Sequence, residues 1–307
     1  MSTQIAATIT DRLTAPAARA DGARAPADIT RSPPALARLS IHTATTQVWS
    51  LEECCREYAA AGVSALTVWR QALAAIGAAR AARLLRASGL RVTALCRGGF
   101  FAAADAEGRA RAIADNRRAI DDAATIGAPL LVLVGGAVPG RPLSESRAMI
   151  ADGISAVLPQ ARAAGVRLAL EPLHPQYAAD RSAINTLAQA RTLCAAVNPP
   201  GTTDVGIAVD VYHVWWDDRL HEELVLAGAQ GLIHAFHVCD WLPQQSDILN
   251  DRGLMGEGCI DISAIRAGVE RAGFLGDIEV EIFSRRWWSS DQRDYLRRII
   301  AAYLHHV

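Results

Sequence analysis

The stretch Ala164-Gly165-Val166-Arg167-Leu168-Ala169-Leu170-Glu171-Pro172 carries the fold in miniature. Its glycine closes a helical run, as C-terminal caps do. A short apolar run of strand length follows and stops at a carboxylate and a proline. The same junction recurs at Ala61-Gly62-Val63, and Gly89, Gly127 and Gly273 close further helical runs. Working outward, strands are expected at Leu39–His42, Ser64–Val68, Arg91–Cys96, Pro129–Val134, Arg167–Leu170, Gly206–Val211, Ile233–Val238 and Glu279–Phe283. Helical segments separate them near 51–61, 71–88, 105–126, 144–164, 183–197, 219–228 and 261–272, with a last one near 290–304.

Eight strands alternating with eight helices predict a parallel sheet with right-handed crossovers. Residues 39–307 give about 34 per unit, which matches a closed (β/α)8 TIM barrel of roughly 250 residues. An open doubly wound sheet would carry a glycine-rich loop after its first strand. Here that strand ends Ser40-Ile41-His42-Thr43, so the barrel is the expectation. Residues 1–36 are rich in Ala, Pro, Thr, Arg and Asp and have no hydrophobic period. They read as a mobile leader ahead of a single catalytic barrel at 37–307. They also lack the apolar run of a signal peptide.

Half of the residues are hydrophobic, enough for a large core. No apolar stretch approaches the ~20 residues that cross a bilayer. A net charge of -1 without a basic run argues against nucleic acid as partner. Six cysteines form no CxxC pair, which fits reduced thiols in a cytoplasm. The chain has no lysine at all, so Schiff-base and lysine-base chemistry are excluded.

Four strand ends carry ionisable groups: Glu171 after the fifth, Asp210 at the sixth, His237 in the seventh and Glu281 at the eighth. Any one of them alone suits a structural hydrogen bond. Together, at spacings of 39, 27 and 44 residues, each about one strand–helix unit, they converge on one barrel end. Burying unpaired carboxylates costs several kcal/mol, and a divalent cation offsets that cost. Three carboxylates and an imidazole suit Mn²⁺ first, or Mg²⁺ or Co²⁺.

These residues sit in Leu170-Glu171-Pro172, Asp210-Val211-Tyr212-His213, His237-Val238-Cys239-Asp240, Gly256-Glu257-Gly258-Cys259-Ile260-Asp261 and Val280-Glu281-Ile282. The pattern resembles the sugar phosphate isomerase/epimerase family, the xylose-isomerase-like barrel superfamily. The resemblance covers about residues 38–300. It implies that Glu171, Asp210, His237 and Glu281 bind one metal ion. It also implies a carbohydrate substrate isomerised or epimerised by proton transfer through a metal-bound enediolate, with Glu171 and Glu281 as catalytic carboxylates. His213 is implied to contact a substrate oxygen, and Arg252 to grip another. Asp240 would orient a ligand or the following loop. Alternation along an extended strand would face Asp210 and His213 oppositely, so the strand must end by Tyr212 and the chain must turn.

His174, Arg70, Arg97 and Trp69 complete the candidate substrate contacts. Trp49, Trp215, Trp216 and Trp241 are read either as sugar-stacking faces or as core. One departure is Tyr177, six residues after Glu171, where many ketose 3-epimerases carry Glu. The same chemistry could instead expel a β-leaving group, as a dehydratase or lyase does. An endonuclease IV-like repair enzyme is the remote alternative: it needs further ligands, and Asn250 and Arg252 stand where that branch has Asp and His. A homo-oligomer is open on this sequence.

Overall fold

The computed structural model describes residues 33–307. The leader expected at 1–36 lies outside the described residues except for Pro33–Leu36, a 3-10 turn that buries Leu36. Eight strands close into a parallel barrel in chain order. They are β1 Leu39–His42, β2 Ala65–Trp69, β3 Arg91–Gly99, β4 Leu130–Val134, β5 Arg167–Glu171, β6 Val205–Asp210, β7 Ile233–Val238 and β8 Ile278–Val280. Around them run α1 Leu51–Ala60, α2 Arg70–Ala74, α3 Ala78–Ser88, α4 Ala106–Ile126, α5 Leu143–Ala163, α6 Leu187–Val197, α7 Val211–Val214, α8 Leu220–Ala229, α9 Ile262–Arg271, α10 Arg285–Trp288 and α11 Gln292–His306. No described helix is long and apolar enough to cross a membrane.

All eight expected strands are present, with three informative differences. β8 ends at Val280 rather than Phe283, although the Glu281 N–H still donates to the Val238 carbonyl at 3.1 Å. β3 runs on to Gly99. β6 stops at Asp210, because the Asp210 side chain accepts the Tyr212 N–H at 2.9 Å and caps the short helix α7. The segment expected as one helix over 71–88 is two, broken at Gly77 with φ 79°.

The larger core lies between the barrel wall and the helices, and a smaller one fills the barrel. Side chains alternate across a strand, so every second residue faces the barrel interior. Below Glu171, Asp210 and His237 this places Ala169, Ala208 and Ala235, all buried. Below Glu281 it places Glu279 instead, also buried.

One glycine tests the packing of the outer layer. Gly153 lies in α5, where Ala would ordinarily gain about 1 kcal/mol of helix propensity. A Cβ there would meet the Phe101 ring and lie 2.7 Å from Phe101 Cβ, which has no room to swing away. Overpacking of this kind costs about 1–3 kcal/mol. Gly153→Ala is therefore expected to lower the urea midpoint, and a raised midpoint would show that Phe101 repacks freely.

Candidate metal centre

β5 to β8 deliver Glu171, Asp210, His237 and Glu281 to the C-terminal end of the barrel. One ligand atom from each lies within 4.8 Å of the others, and all four residues are buried. His237 Nδ1 sits 3.1 Å from Glu171 Oε1. Its Nε2 points away, 4.0 Å from Glu279 Oε2, and has no hydrogen-bond partner. A buried carboxylate behind an imidazole in this way fixes which nitrogen faces the cluster.

Glu279 organises the layer beneath. It accepts from the Thr67 hydroxyl and from Thr93 Oγ1 at 3.0 Å, and it lies 3.4 Å from His42 Nε2. His42 Nδ1 in turn lies 3.1 Å from Glu281 Oε1 and 3.0 Å from the Trp69 indole nitrogen. His42 thus bridges the lower carboxylate to the upper one. Burial works against its positive charge, but Glu281 and Glu279 raise it to about 9. Sequence reasoning placed His42 at a strand end, among the residues that set specificity, and missed Glu279. The readable signal was Glu279-Val280-Glu281: on one strand, both carboxylates face inward.

Arg252 is buried at the site rather than displayed on a loop. Its Nη1 donates to Asp210 Oδ2 at 3.1 Å and to Glu281 Oε2 at 2.9 Å. Its guanidinium lies between the rings of Tyr212 and Phe283, 4.3 and 4.9 Å away. The two carboxylates that share it respond oppositely. Burial pushes Asp210 up to about 7, against the pull of Arg252. Burial also acts to raise Glu281, but His42 and Arg252 outweigh it and hold it well below the usual range. The protein's own cations therefore leave carboxylate charge unsettled at Asp210, and the donor set fits a divalent cation.

His213 comes back over this cluster because β6 ends and α7 turns. Its Nε2 is 3.6 Å from Asp210 Oδ2, and it is not part of the four-residue ligand group. Nδ1 accepts the His174 backbone N–H at 3.2 Å, a shorter contact than the 3.4 Å from Arg252 Nη2 to Nε2, and this favours the proton on Nε2. Burial and the Arg252 charge keep the ring neutral, well below the ordinary imidazole range.

A cavity of about 250 Å³ opens above the cluster, lined by Glu171, Glu281, His213, Arg252, Trp69 and Arg97 among others. Two larger clefts, of about 570 and 590 Å³, flank it, but neither contains any of the carboxylates of the cluster. Arg70 lines one of those clefts and forms a fork with Asp115 at 2.7 and 2.9 Å, so its side chain is not part of the central cavity. The His174 ring stacks on Trp241 at 4.8 Å and does not line the cavity; its backbone positions His213. Trp215 and Trp241 pack against each other and Tyr212, as core. Tyr177 does line the cavity, edge-on to His213, with its hydroxyl donated to the Ile248 carbonyl.

Asp240 orients the loop that brings Arg252 in. One carboxylate oxygen accepts the Gly256 and Gly258 N–H groups, both at 2.9 Å. The other accepts those of Trp241 and Ile260, at 2.9 and 3.0 Å.

A family model described as "Xylose isomerase-like TIM barrel" matches residues 55–302, and the chain belongs to that family. No curated protein matches the sequence. Among solved structures, a protein from Sinorhizobium meliloti 1021 is 48% identical over 88% of this chain and 98% of its own, with a TM-score of 0.85. The IOLI protein, whose structure has a binding zinc atom, is 22% identical over 86% of this chain and 95% of its own, with a TM-score of 0.73. The 3-keto-D-glucoside 4-epimerase from E. coli is 19% identical over 88% and 99% of the two chains, with a TM-score of 0.69. The likeness of the last two speaks to the fold alone.

The Asp240 clamp can be tested apart from any chemistry. Asn has one acceptor oxygen in place of two, so Asp240→Asn turns an amide donor toward two backbone donors. Each orphaned N–H costs about 1–3 kcal/mol. The variant is expected to unfold at lower urea and to be cut faster by protease between residues 241 and 260; unchanged cleavage would show that other contacts hold the loop.

Proposed function

We propose that this chain is a divalent-metal-dependent isomerase or epimerase of a keto-sugar or related polyol, moving a proton at the carbon beside a carbonyl. The observation that carries the reading is that two carboxylates of one cation-binding set, Glu171 and Glu281, both face a single small cavity. The names of two structural neighbours are consistent with it: the E. coli 3-keto-D-glucoside 4-epimerase and a D-psicose 3-epimerase solved in the presence of D-fructose.

Glu171, Asp210, His237 and Glu281 would hold the cation, which supplies Lewis acidity to a substrate carbonyl when bound. Mn²⁺ is the first ion to test, then Mg²⁺ and Co²⁺, with zinc added because the IOLI structure holds it. Glu171 and Glu281 come from different walls of the barrel mouth. One carboxylate takes the proton from carbon. The other returns a proton to the opposite face for epimerisation, or to the neighbouring carbon for isomerisation. Such transfers contribute roughly 10²–10⁴-fold. His213 donates its Nε2 proton to a substrate oxygen, and being neutral it adds no charge beside Arg252. Arg252 holds Asp210 and Glu281 in place through Nη1. Trp69 and Phe283, 5.1 Å apart edge to face, wall off water on one side. Elimination, as in a lyase, gains no support from Tyr177, whose hydroxyl is already donated to a carbonyl. The partner proposed is a small carbohydrate, with no nucleic acid and no membrane.

Two variants test the roles. Glu171→Gln combined with Glu281→Gln removes two anionic ligands and is expected to abolish both bound Mn²⁺ and proton exchange from D2O. One full metal equivalent in that double variant would refute the ligand set. His213→Asn is expected to keep its metal while kcat/KM falls by about 10²-fold, roughly 2.7 kcal/mol of transition-state binding. Loss of metal would make His213 a ligand, and normal kinetics would make it packing.

A further inference from the structure

We infer that the substrate of this site carries an anionic group, a carboxylate or a phosphate, held at the cavity mouth by Arg97 and Arg181. The inference rests on the small-molecule reading above and narrows its substrate class.

Both arginines are half-buried, and both line the cavity that holds Glu171 and Glu281. Among the described residues neither has an ion-pair or side-chain hydrogen-bond partner. The two neighbouring arginines differ: Arg252 is taken by Asp210 and Glu281, and Arg70 by Asp115. Arg97 and Arg181 are instead held by rings. The Arg97 guanidinium carbon is 4.5 Å from the Phe100 ring and 6.0 Å from Trp69, and that of Arg181 is 5.6 Å from Tyr177. Stacking on a ring leaves the edges of the guanidinium fork free to donate. Phe100, which covers Arg97, has φ 53°, a left-handed conformation that a bulky residue adopts only when its surroundings impose it.

The charge balance points the same way. Burial and the nearby charge of Arg181 both act against a charged Arg97, and the carboxylate that helps it most is Glu171. Glu171 is one of the four groups the proposed cation engages. The other carboxylates of the cluster, Asp210, Glu279 and Glu281, are answered by Arg252, His42 and that cation. Two like charges then line a partly desolvated mouth without an ion-pair partner, a costly arrangement that a bound anion relieves. Guanidinium forks match carboxylate and phosphate oxygens in geometry as well as in charge. The cavity volume of about 250 Å³ lies at the small end for ligand sites, which suits a single charged monosaccharide rather than a chain.

The test uses the metal-loaded full chain and three probes: D-fructose, its C6 acid D-fructuronate, and D-fructose 6-phosphate. Calorimetric binding is expected to favour at least one anion over D-fructose by about tenfold to a hundredfold, the range for charge-assisted hydrogen bonds. Preference between the two anions identifies carboxylate or phosphate. Arg97→Met and Arg181→Met, each checked for a full metal equivalent and an unchanged melting profile, are expected to bring the anion within about threefold of D-fructose. Equal binding of all three probes, failure of all three to bind, or discrimination that survives in either folded variant overturns the assignment. Proton exchange from D2O is read separately. A probe that binds without exchanging defeats the proton-transfer reading and leaves the anion site standing, whereas exchange on D-fructose without anion preference does the reverse.

Discussion

Four carboxylates crowd the interior of a closed barrel, three at its C-terminal end and Glu279 one layer beneath, and most of the site follows from settling their charge. Glu171, Asp210, Glu279 and Glu281 are each at most 6% exposed. A lone buried ion of this kind costs several kcal/mol. The structure answers with His42 between Glu279 and Glu281, with His237 against Glu171, and with Arg252 across Asp210 and Glu281. Asp210 also accepts the backbone N–H that starts α7. One carboxylate oxygen thus serves a helix cap while the other faces the cluster, so the turn that presents His213 is fixed by the same residue that anchors the site.

The barrel makes this crowding possible through its period of two. Three strands put alanine in the layer beneath their ionisable residue, at 169, 208 and 235, and these small side chains leave room at the axis. The eighth strand puts Glu279 there, and Ser40, Thr67 and Thr93 line the same layer with hydroxyls that hydrogen-bond one another or Glu279. The layer beneath is therefore polar on the side of β8, β1, β2 and β3 and apolar on the side of β5, β6 and β7. A lower polar layer is expensive unless every member has a partner. Glu279 meets that need through the Thr67 and Thr93 hydroxyls and the nearby His42, while His237 Nε2 stays 4.0 Å away without a hydrogen-bond partner.

Where the sequence was readable, it was readable through period and spacing. The eight strands and the convergence of Glu171, Asp210, His237 and Glu281 follow from apolar runs recurring at one-unit intervals. The turn at Tyr212 followed from alternation, since Asp210 and His213 cannot share a face on one strand. What stayed hidden depended on contacts distant in the chain. Arg70 reads as a substrate arginine because it follows a strand end, but α2 begins there and Asp115 of α4, 45 residues on, takes its side chain. Arg252 reads as a loop arginine because its neighbours are Asn, Asp and Gly, and only the folded loop shows it buried between two aromatic rings. His174 reads as a substrate contact, whereas what it supplies is its backbone N–H, donated to His213.

The long connection after β7 is more than a spacer between strands. It leaves β7 at Asp240, which gathers four backbone N–H groups from both ends of the loop, and its middle is tied by the pairing of Asp240 with Gly253 and of Asp251 with Ser284. Between those ties sits Arg252, whose backbone N–H donates to the Phe283 carbonyl just past β8. The loop is consequently anchored to β7 at one side and to the end of β8 at the other, the two strands that carry His237 and Glu281. The guanidinium it inserts donates to both carboxylates: it helps hold Glu281 ionised, and at Asp210 it pulls against the burial that opposes the charge. Loop position and site electrostatics are thus one equilibrium: neutralising either carboxylate weakens the hold on the loop, and releasing the loop raises the cost of the buried charge.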